Sequence, residues 1–260
     1  MSPAPDDPAL VARLRAAGCV FAEDEARLLR DAAAEGRDLD ELAARRIAGE
    51  PLEHLLGWVE FCGLRLAVGP GVFVPRSRTA LLVEQARRAL PHPGGNAPVV
   101  IDLCCGCGAV GAALLAARPD LDLHAADVDP AAISCARRNL PAARVHQGDL
   151  YTALPRRLAG GVDVLVANAP YVPTGDIALM PPEARDHEPR LALDGGPDGL
   201  AVARRVLAGA PAWLSPGGTV LFETSEAQVP AALAAVSSTG LVPAVDTDEE
   251  RGATVVSGRR

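Results

Sequence analysis

Val99-Val100-Ile101-Asp102-Leu103-Cys104-Cys105-Gly106-Cys107-Gly108 decides the fold. The first five residues, apolar but for Asp102, form a short run suited to a strand covered on both faces. Gly106 and Gly108 supply a tight turn, and residues 108–117 carry the Ala/Leu content of a helix. A buried strand turning through glycines into a helix is the first half of a β-α-β unit. The sequence beyond repeats the pattern, with strands expected at 121–126, 162–166 and 219–223 and helices at 130–140, 200–207 and 227–237. Two closing strands are expected at 241–245 and 253–256. Such repetition implies an α/β fold with a mostly parallel sheet and helices on both faces.

Upstream the pattern changes. Residues 8–48 are helical in period, with Leu10, Leu14 and Ala17 on one face and Ala26, Leu29 and Ala33 on another; Asp7-Pro8 is a helix start and Glu50-Pro51 ends the region. Residues 58–68 alternate apolar and polar about Gly63, which predicts a hairpin. An amphipathic helix is expected at 79–90 and a loop at 91–95. The organisation is therefore a helical unit (1–56), a hairpin linker (57–74) and an α/β domain (75–260).

Composition narrows the function. The chain has 260 residues, 49% hydrophobic, with a formal charge of −8, and its basic residues are all arginine. That length and apolar content suffice for one large core plus a small accessory unit. An acidic chain without a basic run is poorly suited to extended contacts with a phosphate backbone. No apolar run has the length of a membrane span, and residues 1–7 lack the basic and apolar regions of a signal peptide, so the cytoplasm is the expected compartment. Cys104, Cys105 and Cys107 lack a second Cys or His pair at ligand spacing, so no metal is expected; they read as small turn-filling side chains.

In open α/β sheets ligands bind beyond the carboxyl ends of the strands. The first such turn offers Gly106 and Gly108 at a helix start, where backbone N–H groups can meet a ligand closely. The next strand ends at Asp127, placed to accept hydrogen bonds from both hydroxyls of a ribose, while Asp129 before Pro130 is the better helix cap. A dinucleotide enzyme would share these two features. The third turn separates them: strand 162–166 delivers Asn168-Ala169-Pro170-Tyr171 to the same sheet edge. This resembles the Asn-Pro-Pro-Tyr motif of class I methyltransferases that act on planar amide or exocyclic amino nitrogens. An amide nitrogen is a poor nucleophile because its lone pair is delocalised. Acceptors aimed at its hydrogens, the Asn168 side-chain oxygen and the residue 169 carbonyl, favour the pyramidal nitrogen that develops during attack. Tyr171 would stack on the planar group and aim it.

Neighbouring residues extend the resemblance over most of the chain to the HemK/PrmC family, the release factor glutamine methyltransferases. They are Arg45-Arg46-Ile47-Ala48-Gly49-Glu50-Pro51-Leu52 with Gly57 and Glu60-Phe61, Val74-Pro75-Arg76 with Thr79, and the stretch from Glu188-Pro189-Arg190 through Asp194-Gly195-Gly196-Pro197-Asp198-Gly199-Leu200. The resemblance implies a seven-stranded Rossmann-like class I methyltransferase behind a small helical substrate-recognition domain. It also implies S-adenosylmethionine as donor, and as acceptor the glutamine of the Gly-Gly-Gln loop in class I peptide chain release factors. Carried over, Cys104, Cys105, Gly106, Cys107 and Gly108 cradle the methionine part of the donor, Asp127 holds its ribose, and Leu150, after Asp149, lies by the adenine. Asp102 and Asn168 complete that set, while Asn168, Ala169, Pro170 and Tyr171 bind the glutamine. The sequence departs from the family at Ala169 (usually proline, so a looser turn), at Cys104 and Cys105 (usually glycine and a small polar residue, so a tighter fit), at Ser77 and Arg78 (usually proline and an acid), and in a shorter helical domain.

Two other functions share much of this pattern: amino methylation of a nucleic acid, which needs a basic groove that is not evident, and a non-catalytic donor-binding module that lost activity through Ala169. Glu188 is either a substrate contact or a strut. The arginine pairs 137–138, 156–157 and 204–205 read as solvated faces, and His54, His92, His124, His146 and His187 form no ligand set.

Overall fold

The computed structural model describes residues 7–92 and 95–260. The readings of the first six residues, and of Pro93 and Gly94 in the 91–95 loop, lie outside the described residues.

The amino-terminal fifth is a cluster of four helices, α1 (Pro8–Ala16), α2 (Ala22–Ala34), α3 (Leu39–Ile47) and α4 (Leu52–Leu56). Asp7 and Asp38 cap α1 and α3, each accepting a backbone N–H three residues on at 3.0 Å. Their apolar faces share one core, with Leu10, Leu14, Leu29, Leu42 and Leu55 buried together. Ala17 departs from its expected face and is exposed, because α1 ends at Ala16; on α2 the buried position is Ala32, and Ala33 is only half-buried. Pro51 does not end the helical region: it starts α4. Gly57, at φ 83°, stops that helix and feeds the hairpin β1 (Trp58–Phe61) and β2 (Leu64–Ala67). Cys62 and Gly63 at its tip both have positive φ (49° and 76°), the backbone of a two-residue turn whose twist matches its strands.

The remainder is one seven-stranded sheet: β3 (Val99–Leu103), β4 (Asp122–Asp127), β5 (Val145–Gln147), β6 (Val162–Ala167), β7 (Leu214–Thr224), β8 (Val242–Asp248) and β9 (Ala253–Arg259). The order is β5-β4-β3-β6-β7-β9-β8, and only β9 runs against its neighbours. Helices α5 (Ala80–Ala89), α6 (Ala109–Ala117) and α7 (Pro130–Asn139) cover one face, packing Leu82, Leu114 and Ile133 into a single core. On the other face α10 (Ala201–Trp213) and α11 (Val229–Ser238) bury Val206, Leu207 and Val236. Between β6 and α10 the chain makes an excursion through α8 (Pro182–His187) and α9 (Arg190–Leu193). β5 has only three residues and no readable period, which is why the sequence does not announce it. No helix among the described residues is long and apolar enough to cross a membrane. After β5 the chain crosses to the far side of β3, so the strand order reverses between β3 and β6. That reversal opens a crevice at the carboxyl ends of these strands.

Candidate active site

A cavity of about 420 Å³ fills this crevice. Its floor is the turn after β3. Asp102, 1% exposed, accepts the Gly111 N–H through Oδ2 at 3.0 Å, and its Oδ1 is buried without a partner among the described residues. Burial away from water disfavours the charged form and pushes its pKa up to about 7. Gly111 packs closely there: an added Cβ would lie 3.2 Å from that carboxylate, a tight contact that would make it shift by a few tenths of an ångström. Cys104 follows with φ 55°, a left-handed backbone costing a non-glycine residue about 1 kcal/mol. The thiols of Cys104, Cys105 and Cys107 line the cavity, and burial raises all three, so they stay protonated. Gly108 lies outside the cavity lining. It opens α6 at φ 81°, where a Cβ would come 2.7 Å from Leu140.

Asp127 ends β4 at the cavity wall. Its Oδ2 accepts from Gly106 N at 2.8 Å and its Oδ1 from Asp129 N at 2.9 Å, which fixes the plane of the carboxylate while leaving each oxygen a further lone pair. Asp129 caps α7 through Ala131 N at 2.8 Å. Leu150 also lines the cavity and is held at φ 48°, so two of the three positive-φ non-glycine residues among those described are at this site. Beside it Asp149 pairs with Arg205 at 2.5 Å; Arg205, read from sequence as a solvated face, is half-exposed and lines the cavity too.

The opposite wall is the turn after β6. Asn168 is half-buried and lines the cavity, and its carboxamide has no hydrogen-bond partner among the described residues. Ala169, Pro170 and Tyr171 line the cavity beside it. Ala169 lacks the fixed φ of proline, and other groups hold the turn. Val172 N donates to Leu193 O (3.0 Å), and Gly195 N to Val172 O (2.8 Å). Gln228 Nε2 donates to Tyr171 O (2.8 Å), and the Tyr171 hydroxyl to Glu223 Oε1 (2.8 Å). The stretch from Asp194 to Leu200 thus braces the turn from behind. Glu188 acts as a strut: its buried Oε1 accepts Val74 N at 3.1 Å and Arg76 at 2.6 Å. Gln228 and Glu223 escaped the sequence reading, since isolated polar residues carry no period.

The model of the methyltransferase small domain matches residues 65–180. A release factor glutamine methyltransferase of Geobacter sulfurreducens is 38% identical over 223 residues, 84% of this chain and 76% of the relative. The chain belongs to the release factor glutamine methyltransferase family. At the same level of similarity stands a 4-amino-L-phenylalanine/4-methylamino-L-phenylalanine methyltransferase of Streptomyces pristinaespiralis, 37% identical over 75% of this chain and 68% of that one. Among solved structures, a methyltransferase of Pyrococcus furiosus shares the fold at TM-score 0.56 and 16% identity, covering 85% of this chain and 98% of the other.

The residues present fit the S-adenosylmethionine that this family implies. The donor carries a net positive charge, a ribose diol and a planar base. The cavity offers the unpartnered buried oxygen of Asp102, spare lone pairs on Asp127 and an apolar shelf at Leu150. A pH dependence follows from Asp102. Its neutral form persists up to about pH 7 in the free protein, and a cationic ligand favours the ionised form, so binding releases a proton near neutrality. Donor affinity is expected to rise as pH increases through about 7 and then level off. Calorimetry in buffers of different ionisation enthalpy measures the released proton directly; an affinity flat across that range, with no proton released, would rule out the coupling.

Proposed function

We infer that this chain transfers a methyl group from S-adenosylmethionine to the side-chain amide nitrogen of a protein glutamine, the acceptor being the Gly-Gly-Gln glutamine of class I peptide chain release factors in the cytoplasm. The observation that carries this reading is the Asn168 carboxamide, without a hydrogen-bond partner among the described residues and lining the same cavity as Asp102 and Asp127. When bound, the donor supplies an electrophilic methyl group on a positively charged sulfur. Asp102, Cys104–Cys107, Asp127 and Leu150 hold it, with Asp127 taking the ribose hydroxyls. Asn168 Oδ1 and the Ala169 carbonyl accept the two amide hydrogens of the glutamine, which localises electron density on its nitrogen. Tyr171, anchored through its hydroxyl, fixes the plane of the carboxamide. Methylation leaves one proton in excess, and it departs to water from the methylated amide.

In this reading residues 1–56 are the substrate-recognition unit, 57–74 the linker and 75–260 the transfer domain. Arg46 ties the first to the acceptor side: it pairs with Glu25 at 2.6 Å and with Glu183 of α8 at 3.4 Å. The test is direct. A release factor incubated with this chain and the donor should gain one methyl mass on its Gly-Gly-Gln peptide. No gain there, with transfer instead to free 4-aminophenylalanine or to a nucleic acid, would replace the acceptor assigned here.

A further inference from the structure

Two arginines on the acceptor side share an arrangement that the roles above leave unused. Arg76 and Arg78 both line the cavity. Arg76 donates through one terminal nitrogen to Glu188 Oε1 at 2.6 Å, and Arg78 through Nε to Glu223 Oε1 at 3.1 Å. Both carboxylates are buried, and the second oxygen of each has no partner among the described residues. Each guanidinium also lies over an aromatic ring, Arg76 at 5.1 Å from the centre of Phe73 and Arg78 at 5.8 Å from that of Tyr171. Their side chains nonetheless keep 31% and 43% of their surface accessible.

A carboxylate withdrawn from water costs free energy unless it is paired, and each of these two fixes an accessible arginine while also holding Val74 N or the Tyr171 hydroxyl. Each pair is electrically balanced, and the site gains no net positive charge from them. What it gains is direction, because a guanidinium has five donors in one rigid plane and each carboxylate engages only part of that fork. A phosphate or a free amino-acid carboxylate would find little unbalanced charge here. An uncharged carbonyl oxygen would find donors already oriented, with little side-chain entropy left to lose.

We propose that Arg76 and Arg78 form a docking rail for the main chain of the acceptor polypeptide, donating to backbone carbonyl oxygens beside the target glutamine. The occupant is an extended, uncharged loop of a protein. This inference rests on the reading of the chain as a protein-glutamine methyltransferase.

The variants Arg76→Lys and Arg78→Lys test it, since lysine keeps the counter-charge that Glu188 and Glu223 need for folding while removing the planar fork. Each is expected to raise KM for the acceptor protein about tenfold, with kcat much less affected. Donor affinity, read by calorimetry, should stay at the wild-type value, which also reports that the variants are folded. The wild-type KM should change little with ionic strength, as balanced pairs demand. If the wild type methylates the release factor and both lysine variants keep its KM, the rail is wrong while the function stands. A wild-type KM that climbs steeply with salt would equally overturn it, pointing to a charged occupant. If the wild type transfers nothing to the release factor, the functional reading fails first and the rail with it.

Discussion

Asn168→Ala is expected to lower methyl transfer by a factor on the order of a hundred to a thousand, with thermal stability close to wild type. The magnitude is that of removing one preorganised hydrogen-bonding group from the place where charge develops, about 3–4 kcal/mol of transition-state stabilisation. It falls on kcat because the carboxamide has no structural work: it makes no hydrogen bond among the described residues and lies at the cavity wall, outside either core. Deleting it leaves no buried group newly unsatisfied, the usual reason a polar-to-alanine change destabilises. The measurements are single-turnover transfer to the release factor, calorimetry with the donor and a melting curve. Retained turnover would remove Asn168 from the mechanism. A collapse in melting temperature would assign it to the fold instead.

The contrast between Asn168 and its neighbours explains what was legible in the sequence. The order of strands and helices could be read because each long element carries either a period or an apolar run, and the glycine turn after β3 and the acid ending β4 stood at their expected offsets. β5 could not be read, since three residues, Val145-His146-Gln147, contain no period. α10 runs to Trp213 despite Pro211, because Val206, Leu207 and Ala210 bury its face in the second core, and packing outweighs propensity. At the site, the residues that face the cavity were visible, whereas those that hold them were not. Glu223 follows Val220-Leu221-Phe222 and looks like the polar end of a strand; only the fold brings its carboxylate to the Tyr171 hydroxyl, 52 positions away in sequence. Gln228 looks like a helix-start residue. In three dimensions it accepts from Thr224 and Ser225 and donates to the carbonyls of Tyr171 and Asp198. Non-local partnerships of single polar side chains have no sequence pattern, so the support of the site is the part that only coordinates disclose.

That support predicts a second large effect, this time on the fold. Gly199 sits at φ 78°, and a Cβ built there would lie 2.0 Å from Gln228 Nε2 and 2.2 Å from the carbonyl oxygen of Tyr171. Gln228 cannot simply swing away, because its amide bridges Tyr171 and Asp198 while its oxygen satisfies the start of the helical segment after β7. The carbonyl is backbone, so relieving the clash moves either the turn that carries Asn168 or the segment that braces it. Gly199→Ala therefore combines left-handed strain with overpacking against main chain, and is expected to cost about 3 kcal/mol. For a chain of this length that is a fall in melting temperature of about 6–12 °C. Transfer should fall further than the population of unfolded protein accounts for, because the relaxed structure displaces Tyr171 and its neighbours from the cavity wall. Gly63→Ala, at similar φ in a hairpin tip with open space around it, carries the strain without the clash and serves as the control. Should the two variants melt together, the close approach at Gly199 is not what braces the turn; a larger loss at Gly199, with kcat reduced in the folded fraction, ties this part of the family stretch to the geometry of Asn168.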